Sequence, residues 1–316
     1  SLKNAKGRTI LTSLAIAVGA FTLTLTLAAG NGIREYTDRL VASNFDPAEL
    51  IVGRDKEVEN TGAPDSTPKE YDESVSSVSF GGQGSMQLKQ ITDEDIETLR
   101  SLDYVEQVRP NYQIDARYIT GSNGRQYTLS VQSYNPGQKP ELAAGELPGA
   151  DLPDGELLLP ESYVKLLGFK NAKDAIGKQV SITVQQPFTE AALKDLFMSG
   201  ANSQPNAESL QPKRMTKEFK VMAVSKPGVA SLATTGLPVL LSSDDAKTLY
   251  DYTAKNTQQY GKYLYAYTRV KGAENDAVAK EAKQKLKKLG FTVITSQEIQ
   301  ATIRQFVDVL QILVAV

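Results

Sequence analysis

YLYAYTRVKGAENDAVAKEAKQKLKKLGFTVIT, residues Tyr263–Thr295, reads as strand, helix and strand in unbroken succession. Tyr263–Val270 is rich in aromatic and β-branched residues, the composition of a pleated, half-buried strand. From Glu274 to Leu289 the spacing becomes helical. Val278, Ala282, Leu286 and Leu289 share one face, and Gly290 stands where a helix end needs left-handed backbone. Phe291–Thr295 then resumes a strand. The junction Leu286-Lys-Lys-Leu289-Gly-Phe291-Thr-Val293 parallels Leu99-Arg-Ser-Leu102-Asp-Tyr104-Val105: a helix end, a one-residue break, an aromatic and a strand. Two related βαβ-like halves separated by a long insertion account for the echo. Two ordinary helix-to-strand junctions account for it equally well.

Working outward, Thr92 opens a helix with Asp95 as the return partner of a capping box. Asp93, Glu94 and Asp95 sit where the positive end of the helix dipole favours carboxylates, which explains this acidic cluster better than a metal site does. Strands are predicted at Ala48–Arg54, Val105–Arg109, Gln113–Ile119, Gln126–Tyr134, Glu156–Leu159, Lys178–Gln186, Glu218–Val224 and Leu237–Leu241. Glu141–Pro148 reads as a turn-rich connection. A short helix runs from Glu161 to Gly168, with Ser162 helping to start it, and another is capped by Ser242 or Ser243. Residues 57–87 are too poor in apolar side chains to offset their ordering entropy and read as a long mobile loop. Within 187–213, Thr189–Met198 is the one helical stretch.

At the N-terminus, Ile10–Ala29 is free of charge, and its twenty residues span roughly 30 Å as a helix, enough to cross a bilayer. Lys3, Lys6 and Arg8 precede it and Arg34, Glu35, Asp38 and Arg39 follow, so the positive-inside bias puts the N-terminus in the cytoplasm. A signal peptide is the alternative, with Ala28, Ala29 and Gly30 imitating a cleavage site. Phe306–Val316 reads as the opening turns of a second membrane helix, or else as an isolated amphipathic tail.

The expected fold is α+β. Residues 1–9 form a cytoplasmic basic segment, 10–31 a transmembrane helix and 32–46 a stalk helix. Residues 47–122 are the first half of an extracytoplasmic, porter-like α/β module, 123–260 an inserted mostly β module and 261–295 the second half. Residues 296–316 form a stalk helix and the start of a second membrane helix. A flexible insertion between Gly32 and Arg34 is expected to uncouple activity while leaving membrane insertion intact.

The 316 residues contain no histidine and no cysteine and carry a net charge of -2. That removes the usual neutral-pH general base, the Ser-His-Asp arrangement, thiolate metal sites and any disulfide scaffold. No nucleic-acid footprint is present. Ser162-Tyr-Val-Lys165 matches the S-x-x-K spacing of a serine nucleophile with its lysine, but lacks the S-D-N and K-T-G elements that accompany it. Gly81-Gly82-Gln83-Gly84 has no flanking strand, helix or Lys-Ser/Thr, and no Walker sequence occurs elsewhere. Lys280, Lys283, Lys285, Lys287 and Lys288 form a basic helix face suited to solvent, or less well to anionic lipid. No catalytic, cofactor-binding or metal-ligating residue is assigned, and no cofactor is expected.

Residues 2–19, LKNAKGRTILTSLAIAVG, resemble the N-terminal signature of MacB-like and FtsX-like ABC transporter permeases. Ile91–Pro110, Gly155–Val184 and Lys217–Val224 are similar, in the same order, to that family's outer-domain segments. The loop at 57–87 and the insertion at 187–213 depart from the family pattern. The resemblance implies a non-catalytic permease subunit in the cell membrane, with most of the chain extracytoplasmic. It implies pairing with a cytoplasmic ABC ATP-binding subunit, a permease homodimer or heterodimer, contact with the lipid bilayer and an extracytoplasmic protein partner. Ala15-x-x-x-Gly19 suits close helix packing. The alternative from another class is a membrane-anchored sensor or adhesion ectodomain without energy coupling.

Overall fold

The computed structural model describes residues 46–54, 75–79, 85–187, 213–227, 237–255 and 257–302, with Phe21 and Gln305, and only the backbone for 75–79 and 85–88. The expected membrane helix 10–31, apart from Phe21, the stalk 32–45, the helix 189–198 and the tail 306–316 lie outside these residues. Among the described residues no helix is long and apolar enough to cross a membrane. Residues 46–296 form one compact unit.

In chain order the strands are β1 (Glu49–Arg54), β2 (Val75–Ser79), β3 (Ser85–Lys89), β4 (Ile91–Thr92), β5 (Val105–Pro110), β6 (Ala116–Thr120), β7 (Gln126–Tyr127), β8 (Val131–Ser133), β9 (Leu142–Gly145), β10 (Glu156–Pro160), β11 (Gln179–Gln185), β12 (Arg214–Ser225), β13 (Val239–Leu241), β14 (Lys262–Tyr263), β15 (Ala266–Val270) and β16 (Phe291–Thr295). The helices are α1 (Asp93–Arg100), α2 (Glu161–Val164), α3 (Ala172–Ala175), α4 (Ser243–Ala254) and α5 (Asp276–Lys288).

A four-stranded sheet has the order β16-β1-β15-β5, all pairs antiparallel. Taken with α1 and α5, its chain order is β-α-β-β-α-β, and each helix joins two strands that run parallel with a third between them, the split βαβ arrangement. Leu50 and Val52 of β1, Val108 of β5 and Phe291 and Val293 of β16 are buried, as are Ile96 and Leu99 of α1 and Ala279, Ala282 and Leu286 of α5. The alternate positions Glu49, Ile51 and Gly53 are only half-buried and lie on the opposite face, as the two-residue period of a strand requires.

The larger sheet has the order β7-β6-β11-β12-β10-β13-β8, with β9 on a second edge of β12. Twelve-residue β12 is its centre, pairing with β11 over its first half and with β10 and β9 over its second. Residues at the heart of this sheet, such as Leu157, Ile182 and Val221, belong to the same hydrophobic cluster as Leu50 and Val52. A smaller cluster of Tyr134, Leu152, Leu158 and Ala223 is separate from it.

Several expectations change. β6 belongs to the larger sheet, so the chain crosses between sheets in the interval 111–115, ahead of residue 122, and no shift in composition marks the place. The single strand read at 126–134 is two, β7 and β8. Glu141–Pro148 contains β9, which the turn-forming letters conceal; the place of a Cβ on Gly145 is occupied by the backbone of Met222 and Ala223, and its φ is +82°. Within 57–87, β2 and most of β3 form a hairpin. Pro160, not Ser162, precedes α2, and no side chain caps that helix. Leu289 is 45 % exposed, because the helix closes through Gly290 at φ +81° and turns Leu289 off the buried face, where Ala279 replaces Val278.

Candidate functional site

The sequence assigns no nucleophile, base or metal ligand set, and the most informative geometry is where the compact unit begins and ends. β1 and β16 are neighbours, so Asp46 and Ser296 meet at one end of the four-stranded sheet. The Ser296 hydroxyl, only 3 % exposed, lies 2.7 Å from the carbonyl oxygen of Asp46 and 2.8 Å from that of Glu49. A hydroxyl has one proton to donate, so the two carbonyls share it and one group fastens both ends of the unit. Asp46 is held further. Its carboxylate accepts from the Ala48 N–H at 2.9 Å and is paired with Arg269, whose Nε also reaches Glu106 at 3.1 Å.

The same end is gripped by the turn Asn135–Gln138 of the larger sheet's part of the chain. The Asp46 N–H donates to the Gly137 carbonyl at 2.7 Å, and Asn135 Nδ2 donates to Glu49 Oε2 at 2.6 Å. Asn135 Oδ1 accepts from the Gly137 N–H at 3.0 Å, which fixes the turn. A Cβ on Gly137 would stand 2.5 Å from Glu49 Oε2, so a larger residue there would push the Glu49 carboxylate aside. Tyr267 completes the layer, with its hydroxyl 3.5 Å from Gln138 Oε1 and 3.4 Å from the Tyr265 hydroxyl.

Burial raises the Glu49 carboxyl above its ordinary range, opposed by the Asn135 hydrogen bond and by the charge of Arg109. A carboxyl raised in the folded state contributes stability below its unfolded pKa and loses it as pH rises through the folded value. Glu49→Gln keeps an acceptor for Asn135 and removes the charge. Its thermal midpoint is therefore expected to gain on the wild type as pH rises from about 4 to about 7, with no gain at the acid end. A variant that is less stable than the wild type at neutral pH would contradict this.

The opposite end of the four-stranded sheet carries the two crossings to the larger sheet, 111–115 and the segment leading through β14 into β15. Tyr112, Tyr250, Tyr260 and Tyr263 pack there with centroids 5.3 to 5.9 Å apart. The Tyr250 hydroxyl accepts from the Gly261 N–H at 2.9 Å and donates to the Gln259 carbonyl at 2.8 Å, and burial pushes its pKa up to about 12. The Tyr263 hydroxyl donates to Asp93 at 2.7 Å, tying this cluster to the start of α1.

Of the residues singled out from sequence, Asp93 and Asp95 act as helix-start partners. Thr92 and Asp95 form the reciprocal capping box, at 3.3 Å and 3.0 Å. Asp95 also pairs with Arg54, a contact the sequence does not reveal. Ser162 and Lys165 are exposed. Lys285 pairs with Glu281 at 2.9 Å and lies 5.2 Å from the Tyr104 ring centroid. Among the described residues no three carboxylates, histidines or cysteines gather as a metal site. A cavity of about 320 Å³ beside α1 is lined by Arg54, Lys89, Glu94 and Asp95 with polar neighbours, and lacks the apolar wall of a small-molecule site.

The family model for MacB-like periplasmic core domains matches residues 9–289. The periplasmic region of MacB from Actinobacillus actinomycetemcomitans is similar at 14% identity, with 82% of this chain and 94% of that one covered and a TM-score of 0.41. The extracellular domain of the noncanonic ABC-type transporter YknZ from Gram-positive bacteria is similar at 14% identity, with 78% and 100% covered and a TM-score of 0.37. No curated protein matches the chain.

Proposed function

The chain belongs to the family of MacB-like periplasmic core domains, and on that premise we propose that it is the permease subunit of an ABC-type transporter or mechanotransmission complex. ATP hydrolysis by a separate cytoplasmic subunit drives movement of the extracytoplasmic domain, for export or for control of an envelope partner. The permease works as a homodimer or heterodimer, anchored through 10–31 with its N-terminus in the cytoplasm, and catalyses no reaction itself. The four-stranded sheet with α1 and α5 acts as one module and the larger sheet as the other, joined at the crossings.

The observation that carries this reading is the Ser296 tie. An anchored binding domain needs one attachment. Here both ends of the unit leave from one fastened point, so a displacement of either flanking segment is delivered to β1 and β16 together. Purification of the full natural protein from its membrane is the test. It is expected to bring down an ATP-binding subunit with nucleotide hydrolysis; recovery free of any ATPase under conditions that preserve membrane complexes would contradict the reading.

A further inference from the structure

We propose that the Asn135–Gln138 turn is a transmission clamp, which carries displacement of the Asp46/Ser296 junction directly into the larger sheet. The inference rests on the permease reading and adds to it the route of the motion.

The register shows how far from the junction the covalent crossings lie. β15 pairs Arg269 with Glu49 at the junction and Ala266 with Val52 at the other end, where Pro110 also pairs with Ala266. Both covalent crossings therefore leave the four-stranded sheet about 10 Å from the junction, three residues along a strand. Motion reaching the larger sheet through them alone must first pass along β1 and then through the tyrosine cluster.

The turn shortens that path to a few atoms. It holds Asp46 through the Gly137 carbonyl and Glu49 through Asn135, with Gly137 pressed against the Glu49 carboxylate. Asn135 is itself 4 % exposed, so its amide is not free to exchange Glu49 for water. At its other end the turn is rooted. Tyr134 donates its N–H to the Leu241 carbonyl of β13 at 2.7 Å, and its ring, 1 % exposed, packs with Leu152, Leu158 and Ala223. β8, which ends at Ser133, pairs with β13 over three residues. A push on Glu49 thus meets a packed core one residue beyond Asn135, and close-packed interiors transmit strain with little compression. The contact joins residues 86 apart in sequence and serves no helix cap or strand ladder.

These 316 residues hold no cysteine, so once any cysteine elsewhere in the complex is replaced by serine, labels can be placed singly. Lys173 on α3 and Lys280 on α5 are both exposed. The full natural protein, in complex with its ATP-binding subunit, is prepared with Lys280→Cys alone and with the Lys173→Cys/Lys280→Cys pair, spin-labelled, without nucleotide and with ATP trapped. The single label is expected to change mobility with ATP. The pair is expected to give a narrow distance distribution that is the same in both states. With Asn135→Ala, or with Glu49→Ala, which leaves the turn's own hydrogen bonds intact, the distribution is expected to widen at least twofold and to differ between states. Glu49→Gln is expected to behave as wild type. If the single label responds to ATP while both alanine variants keep the narrow, state-independent distribution, the clamp is overturned and the permease reading stands. If the single label never responds, that reading fails and the clamp with it.

Discussion

Arg54→Ala is expected to lower the unfolding free energy by about 2–4 kcal/mol, the cost of leaving a buried charge without its partner. Arg54 leaves the last position of β1 and meets three elements. Its guanidinium pairs with Asp95 of α1, with Nε 3.1 Å from Oδ2. It donates to the carbonyls of Leu289 at 3.2 Å and Gly290 at 3.4 Å at the end of α5. It also lies 4.6 Å from the ring centroid of Phe291 on β16. The Asp95 side chain is 8 % exposed against 27 % for Arg54, so alanine would strand the less solvated partner. Some relief comes from the Thr92 N–H, which continues to donate to Asp95. Arg54→Lys is expected to recover less than half of the loss, because an ammonium cannot reproduce a planar fork that bonds a carboxylate and stacks on a ring. Urea unfolding of the two variants and the wild type checks this; an alanine variant within about 0.5 kcal/mol of the wild type would show that the contact contributes little.

Arg54 also marks the boundary of what the sequence discloses. The capping box of α1 is legible because its partners are three residues apart and obey a local rule. The asparagine cap of α5, with Asn275 Oδ1 accepting from the Ala277 N–H at 2.9 Å, is local in the same way. That Asp95 additionally serves Arg54, 41 residues earlier, depends on where β1 comes to lie, and no spacing encodes it. The same holds for Glu49 and Asn135. Asn-Pro-Gly announces a turn but says nothing about which carboxylate the turn will grip. Strand assignments failed where pairing overrides composition, as in β9, whose alanines and glycine become a strand because β12 offers them an edge. The apolar period misplaced Leu289 because a helical wheel has no term for the turn that ends the helix.

No site residue is named by the sequence alone, since its chemistry-bearing motifs are absent or unsupported. The junction residues carry ordinary letters: an aspartate before proline, a glutamate at the start of a strand, a serine at the start of a helix. What could have drawn attention to them is position. Asp46 and Ser296 stand where the two predicted stalks meet the first and last strands predicted for the extracytoplasmic module.

The second large effect concerns that position. Flexible Gly-Ser segments inserted between Phe45 and Asp46 and between Ser296 and Gln297 leave the Ser296 tie, the clamp and both hydrophobic clusters intact, because every group involved lies within 46–296. They alter only the continuity of the chain on either side. Uncoupling is then separable from unfolding, as judged by an unchanged unfolding midpoint for the unit. The direct measurement is the ATP-dependent mobility change of a spin label at Lys280 in the full complex carrying both insertions. Transmission through the fastened ends predicts that nucleotide hydrolysis continues while the response at Lys280 is lost. A response of native size at Lys280 would contradict it.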